Sequence, residues 1–327
     1  MTRLVAEDRD DLDGVRGLSK PARDALLQGS RTSRLEVLDR RRSAVDPFVK
    51  YLFRSAGETF EAVRIPLLQP RWSVCVSSQA GCALACAFCE TGRLGFTRDL
   101  EAWEIVEQVL TVRREGPERP VTSVVFQGQG EPFQNYDQVI QAARILQHPC
   151  GGRIRGRNIT ISTVGILPMI ERYTAEEHPF RLILSLTSAF DDRRAGLVPS
   201  GRRYGVAALA AAMRRHAAKA GDRVNLAWVL MSGVNTGEDE AEELARLFRG
   251  AAVRLSIIDV NDPTGTFPRA GDAERGAFLT ALGRRGIGFV RRYSGGPDIH
   301  AACGMLASSA RGGREASGAV EWPLIQQ

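Results

Sequence analysis

The sequence predicts an α/β protein whose parallel sheet is flanked by helices, and three observations carry that prediction. Seven short β-rich runs recur along the chain: VCVSS, TSVVF, NITIS, RLILSL, VNLAWVL, VRLSII and GFVRR. Helical patterns lie between them, so strand–helix–strand repeats about six times, as in a parallel sheet with helices outside. At 327 residues the chain is long enough for one large domain of this kind, or two smaller ones, with a well-buried core. In a complete or partial (β/α) barrel, chemistry sits in the loops after the strands.

The elements follow in order. The first forty or so residues read as short amphipathic helical pieces with breaks at Gly14, Gly17, Pro21 and Gly29, so residues 1–45 are assigned to a short helical segment. KYLF and FEAVRIP, joined by a turn at Ala56–Thr59, form a β-hairpin within 46–72 that leads into the core. The strand–helix alternation then occupies 73–306. In EAWEIVEQVLTVRRE, Trp103, Val106, Val109 and Leu110 share one helical face. The alanine-rich YGVAALAAAMRRHAAKAG closes on Gly221 as a helix cap. After Leu306 the residues turn small and polar, which predicts a loosely ordered tail over 307–327. No internal repeat is visible.

Composition is that of a soluble globular protein, 43% hydrophobic and 25% charged. No apolar run approaches the roughly 20 residues needed to cross a bilayer. The N-terminal MTRLVAEDRDDLDGVRG mixes both charge signs and lacks the apolar stretch of a signal peptide. A cytoplasmic protein is expected, without membrane contact, in a compartment where clustered cysteines mean metal or redox chemistry. The net charge of +6 permits an anionic partner such as nucleic acid or a nucleotide without establishing one, since the arginine-rich segments RLEVLDRRR, RIRGR and RRAGLVPSGRR are dispersed.

Four of the six cysteines, Cys75, Cys82, Cys86 and Cys89, fall within fifteen residues, while Cys150 and Cys303 lie far downstream. Cys82, Cys86 and Cys89 have the spacing C-x3-C-x2-C on a loop after the first strand of the alternation. Three thiolates this close can wrap one compact inorganic centre, with zinc and an iron–sulfur cluster as the candidates. A structural zinc site wants four closed ligands, and no fourth cysteine or histidine lies nearby in the sequence. Three cysteines on a four-iron cluster leave one iron open to a substrate or cofactor. After the second strand, VVFQGQGEP carries Gly128 and Gly130, which let backbone approach a ligand without a Cβ in the way.

With Phe88 ahead of its last cysteine, this loop resembles the signature of the radical SAM superfamily. The resemblance implies a partial (β/α)6 TIM-like barrel with a small N-terminal extension. It also implies a [4Fe-4S] cluster on Cys82, Cys86 and Cys89 whose open iron chelates S-adenosylmethionine (SAM). An external electron donor such as flavodoxin or ferredoxin would reduce the cluster and release a 5′-deoxyadenosyl radical. GQGE matches the superfamily's GGE element, which places Gly130 and Glu131 beside the ammonium of SAM.

From about Asp46 to Ala307 the chain resembles, more narrowly, the RlmN/Cfr-type (class A) methylsynthases, which install a methyl group on an adenine carbon of RNA. The matching stretches are CVSSQAGCALACAFCETGRLGF, GEPFQN, NITISTVG, LILSL, GLVPSGRRY and DIHAACG. The resemblance implies that Cys303, in AACG, is methylated by a first SAM and carries the carbon to the substrate. Cys75 would then resolve the protein–substrate adduct through a disulfide. By the same resemblance Glu61, in FEAV, accepts a proton, and Ser162, Ser185 and Asn261 contact SAM, with Asp259 taking the last place under a different gap. Cys150, in HPCGGR, has no counterpart.

Departures from the family pattern shape the substrate expectation. QGQGEP stands for MGMGEP, SLTSA for SLHAP (Thr187 for a histidine), STVG for STSG, and His300 for the aspartate before AACG. The segment in place of the family's N-terminal helical domain is short. These changes at the cofactor edge and substrate side lead us to expect a monomer acting on a nucleoside- or nucleotide-like small molecule. Methylation of rRNA or tRNA at adenine C2 or C8 is the alternative, and insertion of the Cys303 sulfur into a small molecule is a second.

Overall fold

The computed structural model describes residues 19–29, 34–67 and 70–307. One ten-stranded sheet runs through them. Its first part is a meander of β1 (Glu36–Arg42), β2 (Val49–Ser55), β3 (Glu58–Pro66) and β4 (Trp72–Val76), antiparallel throughout. After β4 the chain makes a small two-stranded ribbon from β5 (Gln79–Gly81) and β6 (Phe96–Asp99). The sheet then continues in parallel through β7 (Val121–Phe126), β8 (Ile159–Thr163), β9 (Arg181–Ser185), β10 (Val224–Leu230), β11 (Val253–Asp259) and β12 (Gly288–Arg291). β1 and β12 are its two edges, so the barrel is partial and open.

Each predicted run is a strand, and helices cover the six crossovers. They are α3 (Ala102–Glu115), α4 (Tyr136–Gln147), α5 (Leu167–Ala175), the pair α6 (Asp191–Leu197) and α7 (Val206–Ala220), α8 (Glu238–Leu247) and α9 (Asp272–Arg284). Two shorter helices, α1 (Lys20–Gly29) and α2 (Glu90–Leu94), precede them. Gly221 takes a left-handed φ of +61° and caps α7 as expected.

Side-chain alternation gives the sheet two unlike faces. Val74, Val124, Ile161, Leu184, Leu226 and Leu255 face the helices and form the main core with Ile105, Val139, Leu209 and Phe278. Their neighbours in sequence face the barrel interior, which is polar: Ser73, Thr160, Asn225 and Ser256 are buried there, beside the partly buried Arg181, Arg254 and Arg292. Among the described residues no helix is long and apolar enough to cross a membrane.

Two expectations are corrected. Residues 1–45 are not wholly helical: α1 is a helix, but RLEVLDRRR contains β1. β1 is an edge strand whose burial barely alternates, and pairing with β2, reinforced by Arg54 Nη2–Glu36 Oε1 at 2.6 Å, overrides the weak local signal. Gly14 and Gly17 lie outside the described residues, as does the tail from 308 onward. The hairpin turn is also tighter than Ala56–Thr59. Ala56 and Gly57, with φ of +47° and +80°, turn the chain alone, and Glu58 and Thr59 already pair in β3. The hairpin is continuous with the barrel sheet because β3 pairs with β4.

A buried ion pair locks this hairpin. Lys50 Nζ on β2 lies 2.9 Å from Glu61 Oε1 on β3, with side chains 4% and 0% exposed. Burial pushes the Glu61 carboxyl above the usual range, and the Lys50 ammonium opposes that rise. Lys50→Met strands the carboxylate and should cost about 3–5 kcal/mol in urea unfolding, whereas Lys50→Met/Glu61→Leu should recover most of the loss.

Candidate active site

The three-cysteine loop is closed at its base by the β5–β6 ribbon. Gly81, at φ +76°, leaves no room for a side chain, since a Cβ there would lie 1.9 Å from Gly95 O. Cys82 N donates to the same carbonyl at 2.9 Å. Cys89 N donates to Cys86 O at 3.1 Å, and Cys89 caps the start of α2. Cys86 and Phe88 pack on Leu197, Val198, Met231 and Val260, on the far side of the barrel mouth.

The thiols share one environment. Burial pushes Cys82 up to about 12, with smaller additions from Cys89 and Glu131. Cys86 is raised by burial and then by Cys89, Cys82 and Glu131. Among the described residues, no three His, Cys, Asp or Glu side chains close at the spacing of a single metal ion. A four-iron cube holds its thiolates farther apart than one ion does, so a loop of three mutually sensing thiols suits the cube better.

Glu131 supports the second half of that centre. It is 3% exposed; Phe133 N and Val164 N each donate to one of its oxygens at 3.0 Å. Burial lifts it to about 7, and it has no ion-pair partner among the described residues. A buried carboxylate with spare lone pairs and no cation fits an ammonium group. The glycines before it have close neighbours within the chain: a Cβ on Gly130, at φ +94°, would lie 2.5 Å from Gln79 Cβ, and one on Gly128 would lie 2.7 Å from Val76 O, so both let this loop press onto 76–79. Gln79 Oε1 also accepts from Glu131 N at 2.9 Å.

Ser162 and Ser185 stand at the ends of β8 and β9 with their hydroxyl oxygens 3.3 Å apart. Beside them Thr187 is strained and fully buried, at φ +63°, and its hydroxyl makes no hydrogen bond. Orphaned polar atoms at the mouth of the barrel fit a polar cofactor.

Cys75 and Cys303, distant in sequence, are neighbours here. Cys75 sits on β4 opposite Val63, 7% exposed, in a cluster with Val125, Ile299, Ala301 and Leu306. Burial pushes Cys75 up to about 12; Cys303 adds to the rise and Arg292 opposes it. The Cys303 loop is tied down at several points. Ser294 Oγ accepts from Cys303 N at 2.8 Å, and Asn261 Nδ2 reaches Ser294 Oγ at 3.1 Å and Cys303 O at 3.4 Å. Glu90 N donates to Gly304 O at 2.7 Å and Thr91 Oγ1 to Leu306 O at 2.7 Å, which joins this loop to the cysteine loop. Asn261 thus belongs to the site, whereas Asp259 pairs with Arg275 and Arg291, each at 3.5 Å. Glu61 faces the amide of Ala307 but is sealed, with Lys50 as its partner. Cys150 is exposed and apart.

Sequence reasoning missed Lys50, Arg292, Ser294 and Arg194. Nothing in residue type separates these from surface arginines, lysines and serines; only the fold buries Lys50 and Arg194 and brings the half-buried Arg292 and Ser294 to the site.

Comparison with known proteins agrees with this geometry. The family model of the radical SAM superfamily matches residues 76–248. A probable RNA methyltransferase of Anaeromyxobacter sp. is 51% identical over 306 residues, covering 88% of this chain and 90% of that protein. A probable dual-specificity RNA methyltransferase RlmN of Heliobacterium modesticaldum is 43% identical over 288 residues, covering 85% and 75%. The crystal structure of a radical SAM methyltransferase from Sphaerobacter thermophilus superposes with a TM-score of 0.86 at 38% identity, covering 93% of this chain and 90% of that one.

Gly130→Ala should lower stability by about 1–3 kcal/mol and weaken SAM binding to reconstituted protein, read by thermal melting and calorimetry. In alkylation of the cluster-loaded protein with iodoacetamide, peptide mass spectra should show exposed Cys150 modified first and buried Cys75 far more slowly.

Proposed function

The chain belongs to the radical SAM superfamily and to its RlmN-type methyltransferases, and from that premise we propose that it methylates an adenine carbon of RNA through Cys303. The observation that carries the chemistry is the packing of the Cys303-bearing segment against Cys75, through Ile299, Ala301 and Leu306, while hydrogen bonds tie the same segment to the three-cysteine loop. RNA replaces the small molecule expected from the departures, because a relative with half of its residues identical is named an RNA methyltransferase.

When bound, a [4Fe-4S] cluster and SAM supply the methyl group and a hydrogen-abstracting radical. Cys82, Cys86 and Cys89 would hold the cluster, and Glu131 the ammonium of SAM. Ser162, Ser185 and Asn261 would line the rest of the cofactor. Cys303 would keep the methyl-derived carbon facing the substrate base until the two are joined. Burial keeps Cys75 protonated until then. Losing its proton, Cys75 would attack the Cys303 sulfur. The S–S bond forms as the C–S bond breaks, its electron pair stays with the carbon, and that carbon takes up a proton. A thiol must reduce the disulfide before the next cycle. Glu61 would serve as the base on the substrate only if the segment at Ala307 gives way. A low-potential donor such as flavodoxin or ferredoxin, a cytoplasmic setting and a monomeric enzyme complete the proposal.

Under turnover conditions with RNA, Cys75→Ala should accumulate chain covalently joined to RNA through Cys303, visible after nuclease digestion as an intact mass larger by a nucleotide. Cys303→Ala should form no adduct. A Cys75→Ala adduct that forms from a free nucleoside and not from RNA would overturn the substrate assignment.

A further inference from the structure

Arg194 has no role in the chemistry above, yet the chain buries it completely, at 0% exposure, on α6 beside the cysteine loop. Its Nη2 donates to Val164 O, whose amide donates to Glu131 on the other side. Nε and Nη1 make no hydrogen bond. The nearby Asp191 carboxylate already accepts from Val206 N at 2.6 Å and forms no ion pair with Arg194. A guanidinium sealed from water with idle donors is costly unless an anion completes its surroundings.

The anion the fold offers is at Cys86. Leu197, the last residue of α6, accepts from Ala87 N at 3.0 Å, and Leu197, Val198 and Val164 pack around Cys86 in one apolar cluster. Val164, which accepts from Arg194 Nη2, and Leu197, one turn along α6 from Arg194, pack in the same cluster as Cys86, which places the guanidinium on the Cys86 side of the loop. A neutral thiol cannot balance the guanidinium, but a cluster-ligating thiolate can.

We propose that Arg194 is the built-in counter-cation of the iron–sulfur centre. Its idle donors serve the Cys86 thiolate, and its charge raises the potential at which the cluster accepts an electron. This rests on the reading that Cys82, Cys86 and Cys89 ligate the cluster. The physical basis is general: net charge and hydrogen bonds to the ligand sulfurs set the potential of such clusters.

The test uses anaerobically reconstituted full chain as wild type, Arg194→Gln and Arg194→Lys. Glutamine removes the charge and, being shorter, the Nη donors with it, whereas lysine keeps the charge. Arg194→Gln should bind iron and sulfide near the wild-type amount, yet its SAM-free cluster should have a midpoint potential shifted to more negative values in an EPR-monitored titration. Arg194→Lys should restore most of that shift. Wild type grown with ¹⁵N-arginine should show nitrogen coupling to the reduced cluster by pulsed EPR, and Arg194→Lys should lose it, which separates Arg194 from Arg93, whose Nη2 donates to Ala87 O at 3.2 Å. An unchanged potential, or absence of arginine coupling in wild type, would overturn the proposal. So would a shift that appears only when SAM is bound, because Arg194 would then serve the SAM carboxylate. Failure of wild type itself to take up a cluster would instead sink the ligand assignment.

Discussion

The site depends on the pinning of the Cys303 loop to the cysteine loop. Two hydrogen bonds, Glu90 N to Gly304 O and Thr91 Oγ1 to Leu306 O, fasten the end of the described chain to α2. From the other side Asp46 accepts from Tyr293 Oη and Gly296 N, each at 2.8 Å, and Asp298 accepts from Ser43 Oγ and Ala44 N. The loop is therefore held between the β1–β2 connection and the first loop of the barrel. This explains why the antiparallel meander belongs to the functional unit. Without β3, Cys75 would be flanked by β7 alone, and without the β1–β2 connection the segment that carries Cys303 would lose its anchor.

Around that clamp the barrel concentrates charges that ordinary packing would avoid. Glu131 is buried with amide donors but no cation, Arg194 is buried with idle donors, and Glu61 is buried with its cation supplied by Lys50. The contrast separates their roles. A self-paired charge such as Lys50–Glu61 is complete within the chain and serves the hairpin. Glu131 and Arg194, bonded to the amide and to the carbonyl of Val164 respectively, have no such ion-pair partner among the described residues. A zwitterionic cofactor on an anionic cluster supplies both signs.

Much of this was legible in residue order, and the limits have physical causes. The seven strands announced themselves because their β-branched and apolar residues recur on the helix-covered face between helical patterns, and the cysteine triplet because its spacing is rare. β1 did not, since an edge strand rich in arginine lacks a buried face to impose alternation. The β5–β6 ribbon was hidden because its three-residue strand is too short to show a period. Lys50 and Arg194 look like surface residues in any local window; only contacts across 11 and 108 positions, to Glu61 and Cys86, give them a purpose. Gly128 and Gly130 were recognised as sites of close approach, but their approach to Val76 and Gln79 of the chain itself could not be read from the sequence.

The same distinction bears on the substrate. Polar residues in place of the family's methionines suggest a changed ligand only if their polar atoms face the ligand without partners. Gln127 does not leave its amide idle: Arg292 Nη1 donates to its Oε1 at 3.2 Å, inside a polar barrel interior. Gln129 is fully buried, and its backbone carbonyl accepts from Ser78 N and Gln79 N at 2.9 and 3.2 Å. Gln127 is thus absorbed within the chain by a hydrogen bond that methionine could not make, whereas the bonds at Gln129 use a backbone carbonyl that any residue there would offer. The Gln127 substitution reports on how this barrel packs its own interior, and so carries little information about the acceptor. Thr187 differs. Its strained backbone and idle hydroxyl are not absorbed within the chain, so packing of the barrel interior does not account for it as it does for Gln127.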